Sequence, residues 1–239
     1  MKSLNPGISD WRDHRVWILG ASSGIGAALA GELQKAGARL AISARREQML
    51  RQVATGEDLI APVDVSDIDS LYSARDMLHD RWGGIDMVFY CAGIYTPMRA
   101  WEIDLQTVRE TLSINLQGVY NLLDVVVPDM VKNGTGGICL ISSVAGYTGL
   151  PKALAYGPGK AALINLAQIL YTDLSPRGIG IYLVNPGFVA TRLTRKNNFK
   201  MPALITADAA AQAIIAGIGK GRFEIHFPKR FTSWMKCLS

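Results

Sequence analysis

Tyr156 and Lys160 form a Y-x-x-x-K pair, and Ser143 stands thirteen residues before the tyrosine, within Ile141-Ser142-Ser143-Val144-Ala145-Gly146. Four residues on a helix make about one turn, so the phenol and the ammonium ion share a face. An opposite charge nearby favours the phenolate. A phenol so tuned can give a proton to a carbinol oxygen or take one from it. A serine hydroxyl at the end of a preceding strand can hold the same oxygen. Together the three side chains can assemble a site for hydride transfer. The pair alone is a weak motif, so the rest of the chain must supply the hydride carrier.

Residues 16–26 read Val-Trp-Ile-Leu-Gly-Ala-Ser-Ser-Gly-Ile-Gly. The apolar run Val16–Leu19 has the pattern of a buried parallel strand. A helical pattern begins near Gly24, with Ile25, Leu29 and Leu33 on one side, and Gly37 closes it. Gly20, Ser22, Ser23, Gly24, Ile25 and Gly26 therefore lie between a strand and a helix N-terminus. Free backbone N–H groups and the helix dipole there favour a pyrophosphate. The spacing is G-x-x-x-G-x-G. A second strand, Arg39 to Ser43, runs into Ala44-Arg45-Arg46 with no acidic residue to take the ribose hydroxyls of NAD. Arginine at this place accommodates the 2′-phosphate of NADP. Arg45, with Ser43, is the expected phosphate contact and Arg46 a second charge, so the expected cofactor is NADP(H).

These motifs, in this order, resemble the short-chain dehydrogenase/reductase family. The likeness runs from about residue 15 to 228 and includes Asp64-Val65, Ala92-Gly93, Asn115 and Asn185-Pro186-Gly187. The resemblance implies roles residue by residue. Asn115 helps hold a proton-relay water through its helix backbone, and Ser143 positions the substrate. Tyr156 is the general acid/base. Lys160 depresses the tyrosine pKa and binds the nicotinamide ribose. Asp64, with Val65, lies at the adenine, and Ala92 and Gly93 lie beside the cofactor. Pro186 to Thr191 covers the nicotinamide, with Gly187 in that stretch and Val189 and Thr191 at the carboxamide. The chain departs from the family in three places. Leu19 replaces a threonine. Tyr90 and Cys91 replace two asparagines, so two polar positions beside the cofactor become apolar or nearly so. The third is the catalytic helix, which reads Tyr156-Gly157-Pro158-Gly159-Lys160. Proline is tolerated only in a first helical turn, so this helix must start close to Tyr156.

The elements that position these residues alternate along the chain. Strands are expected near 16, 39, 58, 86, 137, 179 and 223, and helices over 24–36, 46–54, 67–81, 104–132, 155–175 and 206–219. That alternation predicts an α/β fold, a Rossmann-like doubly wound parallel sheet of about seven strands with helices on both faces. A length of 239 residues, 49% hydrophobic, suits one dinucleotide-binding and catalytic domain over 1–239, with a short basic tail from about 229. No apolar run reaches the roughly 20 residues of a membrane span. Met1 to Arg15 is polar and lacks a signal-peptide core.

Cys91, Cys139 and Cys237 are too scattered for a disulfide scaffold or a zinc site. His14, His79 and His226 lack ligand spacing. The expected compartment is the cytoplasm and the expected chemistry is metal-free. Net charge is +5, but residues 192–239 hold nine Lys/Arg against two acids. Such an end can attract an anionic membrane, an acidic carrier or nucleic acid. The segment after Phe223 reads as an edge strand plus a docked tail, with peripheral membrane contact as the alternative. No nucleic-acid motif accompanies the charge.

Ile94, Tyr95, Met98, Val144, Tyr147, Leu150, Phe188, Leu193 and Phe199 are expected on the substrate side, with Arg192, Arg195 and Lys196 on its rim. The small-molecule partner expected is a hydrophobic carbonyl compound or its alcohol, and the basic rim suits an anionic group on it. The leading reading is an NADP(H)-dependent oxidoreductase acting in the reductive direction. A non-catalytic NADP(H)-binding regulator and a membrane-surface protein are the alternatives. The family resemblance further implies a homodimer or homotetramer.

Overall fold

The computed structural model describes residues 5–196 and 199–237. The expected domain limits of 1 and 239, and the polar start of the chain, fall partly outside the described residues. Seven strands run β1 (Arg15–Leu19), β2 (Arg39–Ser43), β3 (Leu59–Ile60), β4 (Met87–Tyr90), β5 (Gly136–Ile141), β6 (Ile179–Pro186) and β7 (Glu224–Phe227). They form one sheet in the order β3-β2-β1-β4-β5-β6-β7. Every pairing is parallel. Parallel neighbours require crossovers, and helices supply them.

Because both faces of the sheet are covered, its strands are apolar almost without a break. All eight residues of β6 are buried. Side chains alternate between two cores, as strand geometry demands. Val16, Ile18, Phe89 and Ile42 face α1 (Gly24–Lys35) and α7 (Ala207–Gly219). Trp17, Leu19, Val88 and Tyr90 face α3 (Ile68–Trp82), α5 (Gly118–Asn133) and α6 (Tyr156–Leu174).

Strand order reverses at β1. From it the sheet grows towards β2 and β3 on one side and towards β4 on the other. The crossovers there leave in opposite directions and open a crevice at the carboxyl ends of the strands, where such folds bind ligands.

The expected elements are present with three differences. The second helix, expected over 46–54, is the four-residue α2 (Glu47–Leu50). Gln34 of α1 donates to the Val53 carbonyl at 3.2 Å and to Asp58 at 2.6 Å, which draws the chain into a turn instead. The long helix expected over 104–132 is interrupted. α4 (Leu105–Leu112) widens into a π-turn over Ser113–Gln117 before α5 continues.

The tail after β7, read as docked and given no helix, is helix α8 (Lys229–Cys237). Thr232 and Met235 are buried beneath it, and the Thr232 hydroxyl lies 2.7 Å from His226 Nδ1 on β7. Among the described residues no helix is long and apolar enough to cross a membrane.

Candidate active site

Gly20 ends β1 with φ of 86°, a left-handed conformation that favours glycine. The turn delivers the chain to the N-terminus of α1 within a few residues. The starts of α3, α4 and α7 are closed by side chains. Asp67 accepts from the Asp69 N–H, Asp104 from Gln106 and Thr206 from Ala209. Ser23, at the head of α1, makes no such bond. The first-turn N–H groups of α1 are thus left for a ligand, and an anionic one is favoured by the dipole.

This N-terminus opens into a cleft of about 750 Å³ along the carboxyl ends of the strands. Gly20, Ser22, Ser23, Gly24, Ile25 and Gly26 form one wall of it. Arg45, Arg46, Asp64 and Val65 line the end beyond β2 and β3. Ala92 and Gly93 follow β4, and Pro186, Gly187, Val189 and Thr191 close the cleft from β6. Thr191 crosses to the glycine turn, its methyl 3.1 Å from where a Cβ on Gly24 would stand. Uncapped N–H groups and a glycine wall fit the diphosphate of a nicotinamide dinucleotide.

Ser143, Tyr156 and Lys160 line the same cleft. Tyr156 is the first residue of α6, as Pro158 requires. Ser143 follows β5, and Ser142 Oγ donates to the Lys160 carbonyl at 2.9 Å, fixing α6 against the strand end. Lys160 is only 4% exposed; its ammonium donates to the Ile141 carbonyl at 2.7 Å. Burial pulls its pKa down to about 8.

The Tyr156 phenol behaves differently from expectation. Burial pushes it up to about 12, against the hydrogen bond with Ser143, which works downwards. Desolvation of the ring outweighs that bond, and the neighbouring Tyr95 adds to the rise. The phenol is therefore protonated at neutral pH.

Asn115 lies outside the cleft wall. It is fully buried in the π-turn and clamps Ile94 with two bonds. The Ile94 N–H donates to its Oδ1 at 2.8 Å, and its Nδ2 donates to the Ile94 carbonyl at 2.9 Å. Asp64 is partly committed as well, because its Oδ1 accepts from the Ser66 N–H and hydroxyl at 3.0 and 2.6 Å. Burial works to raise its pKa, but the Ser66 bonds and the Arg45 charge prevail and lower it. Ser43 lines the cleft but is 1% exposed; its hydroxyl accepts from the Trp17 indole at 2.8 Å and keeps its own O–H to donate.

On the substrate side Ile94, Tyr95 and Leu193 line the cleft, with Arg192 and Lys196. Met98 and Val144 are buried beneath, and Arg195 is exposed away from the lining. The Tyr95 ring meets Tyr156 edge-on, with centroids 5.3 Å apart. Phe188 packs between Phe199 and Phe231 of α8, each 5.7 Å away. Tyr147 reaches the other way, donating to Glu224 at 2.5 Å. Asn185 also donates to Glu224, at 2.9 Å, and Lys236 of α8 pairs with it.

Two features escaped sequence reasoning. Lys196 donates across the mouth to the Tyr95 carbonyl at 2.8 Å. Thr194 ties the loop after β6 to itself by donating to the Val189 carbonyl at 2.6 Å. Lys196 is expected on the rim, but neither its bond to Tyr95 nor the Thr194 tie follows from a motif, so only the folded loop reveals these two bonds.

The short chain dehydrogenase family pattern matches residues 14–202. An uncharacterized oxidoreductase of Myxococcus xanthus is 34% identical over 217 residues, spanning 88% of this chain and 86% of that protein. The 11-beta-hydroxysteroid dehydrogenase-like 3 of Arabidopsis thaliana is 33% identical, over 93% of this chain and 74% of its own length. Among solved structures, a short-chain dehydrogenase from Streptomyces avermitilis superposes with a TM-score of 0.85 at 24% identity, covering 94% of this chain and 92% of that one. Ordered motifs, sheet order and relatives agree, and the chain belongs to the short-chain dehydrogenase family of oxidoreductases.

Proposed function

We propose that this protein is an NADP(H)-dependent oxidoreductase that interconverts a ketone or aldehyde with an alcohol, working in the reductive direction. One observation carries the reading. Ser143, Tyr156 and Lys160 meet in a cleft that also holds the uncapped N-terminus of α1.

In this reading the α1 N–H groups and the Gly20–Gly26 turn bind the diphosphate. Arg45 and Arg46, both exposed at the rim, take the 2′-phosphate. Asp64 and Val65 border the adenine. Ala92 and Gly93 flank the ribose side, and Pro186, Gly187, Val189 and Thr191 orient the nicotinamide. A bound NADPH supplies the hydride. Ser143 holds the carbonyl oxygen and Tyr156 gives that oxygen its proton, which a phenol protonated at neutral pH can do. Lys160 holds the nicotinamide ribose and offsets the charge left on the phenol. Asn115 holds the relay at the π-turn.

The apolar lining from Ile94, Tyr95 and Leu193 suits a hydrophobic carbonyl compound. The hydroxysteroids in the Arabidopsis relative's name, and the ketones that correspond to them, belong among the compounds to try. A second copy of the chain would pack along α5 and α6, where Tyr120 and Ile169 are 48% and 50% exposed.

The test is consumption of NADPH and of NADH against carbonyls of graded length, ring number and charge. NADPH-dependent turnover favouring apolar ketones is expected. Turnover with NADH alone, or preference for small polar aldehydes, would refute the cofactor or the substrate part.

A further inference from the structure

Tyr90 stands at the end of β4, where the family's usual asparagine is absent, yet its position remains polar in effect. The side chain is 1% exposed, and its hydroxyl donates to the Ile114 carbonyl at 2.5 Å. Ile114 belongs to the π-turn between α4 and α5. In an α-helix its carbonyl would accept from the N–H of Gly118, four residues on. Here the Gly118 N–H donates to the Ser113 carbonyl, five residues back. The wide turn thus releases the Ile114 carbonyl, and a released carbonyl inside a core must find another donor. The Tyr90 phenol supplies it. Gly118 makes room, because a Cβ there would overlap the Tyr90 hydroxyl.

The next residue in the turn is Asn115, whose side chain grips both main-chain groups of Ile94. Tyr95 follows, with its ring against Tyr156. A Cβ on Gly93 would lie 3.4 Å from Asn115 Oδ1 and 3.9 Å from the Lys160 ammonium, so this loop is bounded by both. An unbroken series of contacts runs from Tyr90 through the π-turn and Asn115 to the catalytic tyrosine. π-turns inside helices recur at functional sites.

We infer that Tyr90 is a positioning residue: its phenol holds the π-turn open by capping the Ile114 carbonyl, which aims Asn115 at Ile94 and sets Tyr95 against Tyr156. The inference rests on the proposed function only for its consequence in turnover. Its geometric part stands apart.

The experiment uses the full chain and the variants Tyr90→Phe and Gly118→Ala. Phenylalanine keeps the ring packing and removes only the donor. Amide hydrogen exchange is followed at Ile94 and over 113–118, together with the pH profile of kcat. Tyr90→Phe should speed exchange at Ile94 and across the π-turn, and lower kcat about 3- to 10-fold, the usual worth of one hydrogen bond. The pH limb belonging to Tyr156 should shift. Adding Tyr90→Phe to Asn115→Ala should cost nothing more at Ile94, because the grip it supports is gone. Gly118→Ala should mimic Tyr90→Phe at Ile94. Wild-type exchange at Ile94 in Tyr90→Phe would overturn the inference, as would a slower amide or an additive loss in the double variant. If no carbonyl is turned over even by the wild type, the functional reading fails alone, and Ile94 exchange still decides the role of Tyr90.

Discussion

The Lys160 ammonium lies 5.5 Å from the centre of the Tyr156 ring, buried, with the Ile141 carbonyl as its hydrogen-bond acceptor. One backbone oxygen is poor compensation for a shell of water, and the fold holds the cation there at a cost.

That cost is measurable. With its pKa drawn from 10.5 to about 8, Lys160 binds its proton less tightly in the folded protein than in the unfolded chain. The strain is complete below about pH 8 and fades as pH rises from there to about 10.5, so stability should climb through that window. Lys160→Met should raise the melting temperature at pH 7 by roughly 2–4 °C, about 1 kcal/mol after the orphaned Ile141 carbonyl is counted. Turnover should fall at least 100-fold. Calorimetry and NADPH oxidation on one preparation check both. A lowered melting temperature would show Lys160 to be stabilising instead.

The cysteines should differ in reactivity. Burial pushes the Cys91 thiol up to about 12 and Cys139 well above its ordinary value, whereas Cys237 is exposed. Thiolate is the reacting form. Brief treatment with iodoacetamide at pH 8, followed by peptide mass spectrometry, should find Cys237 modified and the other two intact. Equal labelling of Cys91 would mean that its surroundings are wetter than described.

Cofactor choice should reside in the residues after β2. Losing a charge-assisted bond to the 2′-phosphate removes about 1.5–3 kcal/mol. Arg45→Ala should therefore weaken NADPH binding about 10- to 100-fold and leave NADH unchanged. Titration of cofactor fluorescence gives both constants. Equal loss for the two cofactors would move the 2′-phosphate site elsewhere.

Glu224 should couple α8 to acidity. Burial works to raise its pKa, but bonds from Lys236, Tyr147 and Asn185 prevail and lower it. A depressed carboxylate adds stability above its unfolded value, near 4.5, and loses it as pH falls through the lower folded value. Glu224→Gln should flatten that acid loss and loosen α8 at neutral pH. Limited proteolysis within 229–237 across pH 3 to 7 reads it. An unchanged acid profile would contradict the coupling.

The cleft was legible in the sequence because its parts sit at chemically constrained places. Gly20 needs a left-handed turn, Pro158 forces α6 to start at Tyr156, and unbroken apolar runs mark β1 and β6. Each is a local requirement that one residue type announces. What stayed hidden depends on partners far along the chain. The π-turn is held by Tyr90, 24 residues before Ile114. Helix α8 is settled by its contacts with β7 and by Glu224, since nine residues cannot hold a helix alone. Leu19 and Tyr90, which replace polar family residues, put the local hydrogen bonding in question. Leu19 is indeed wholly within the core. Tyr90 is not a loss, because its ring packs in the core while its hydroxyl reaches the turn.

The proton donor is the centre of the account, and Tyr156→Phe tests it most directly. Steady-state NADPH oxidation with the best carbonyl substrate, measured beside NADPH affinity, separates chemistry from binding. General acid catalysis is worth about 100- to 10,000-fold, so turnover should fall by at least 100-fold while NADPH affinity holds. Turnover retained near the wild-type rate would remove Tyr156 as the acid and contradict the mechanism.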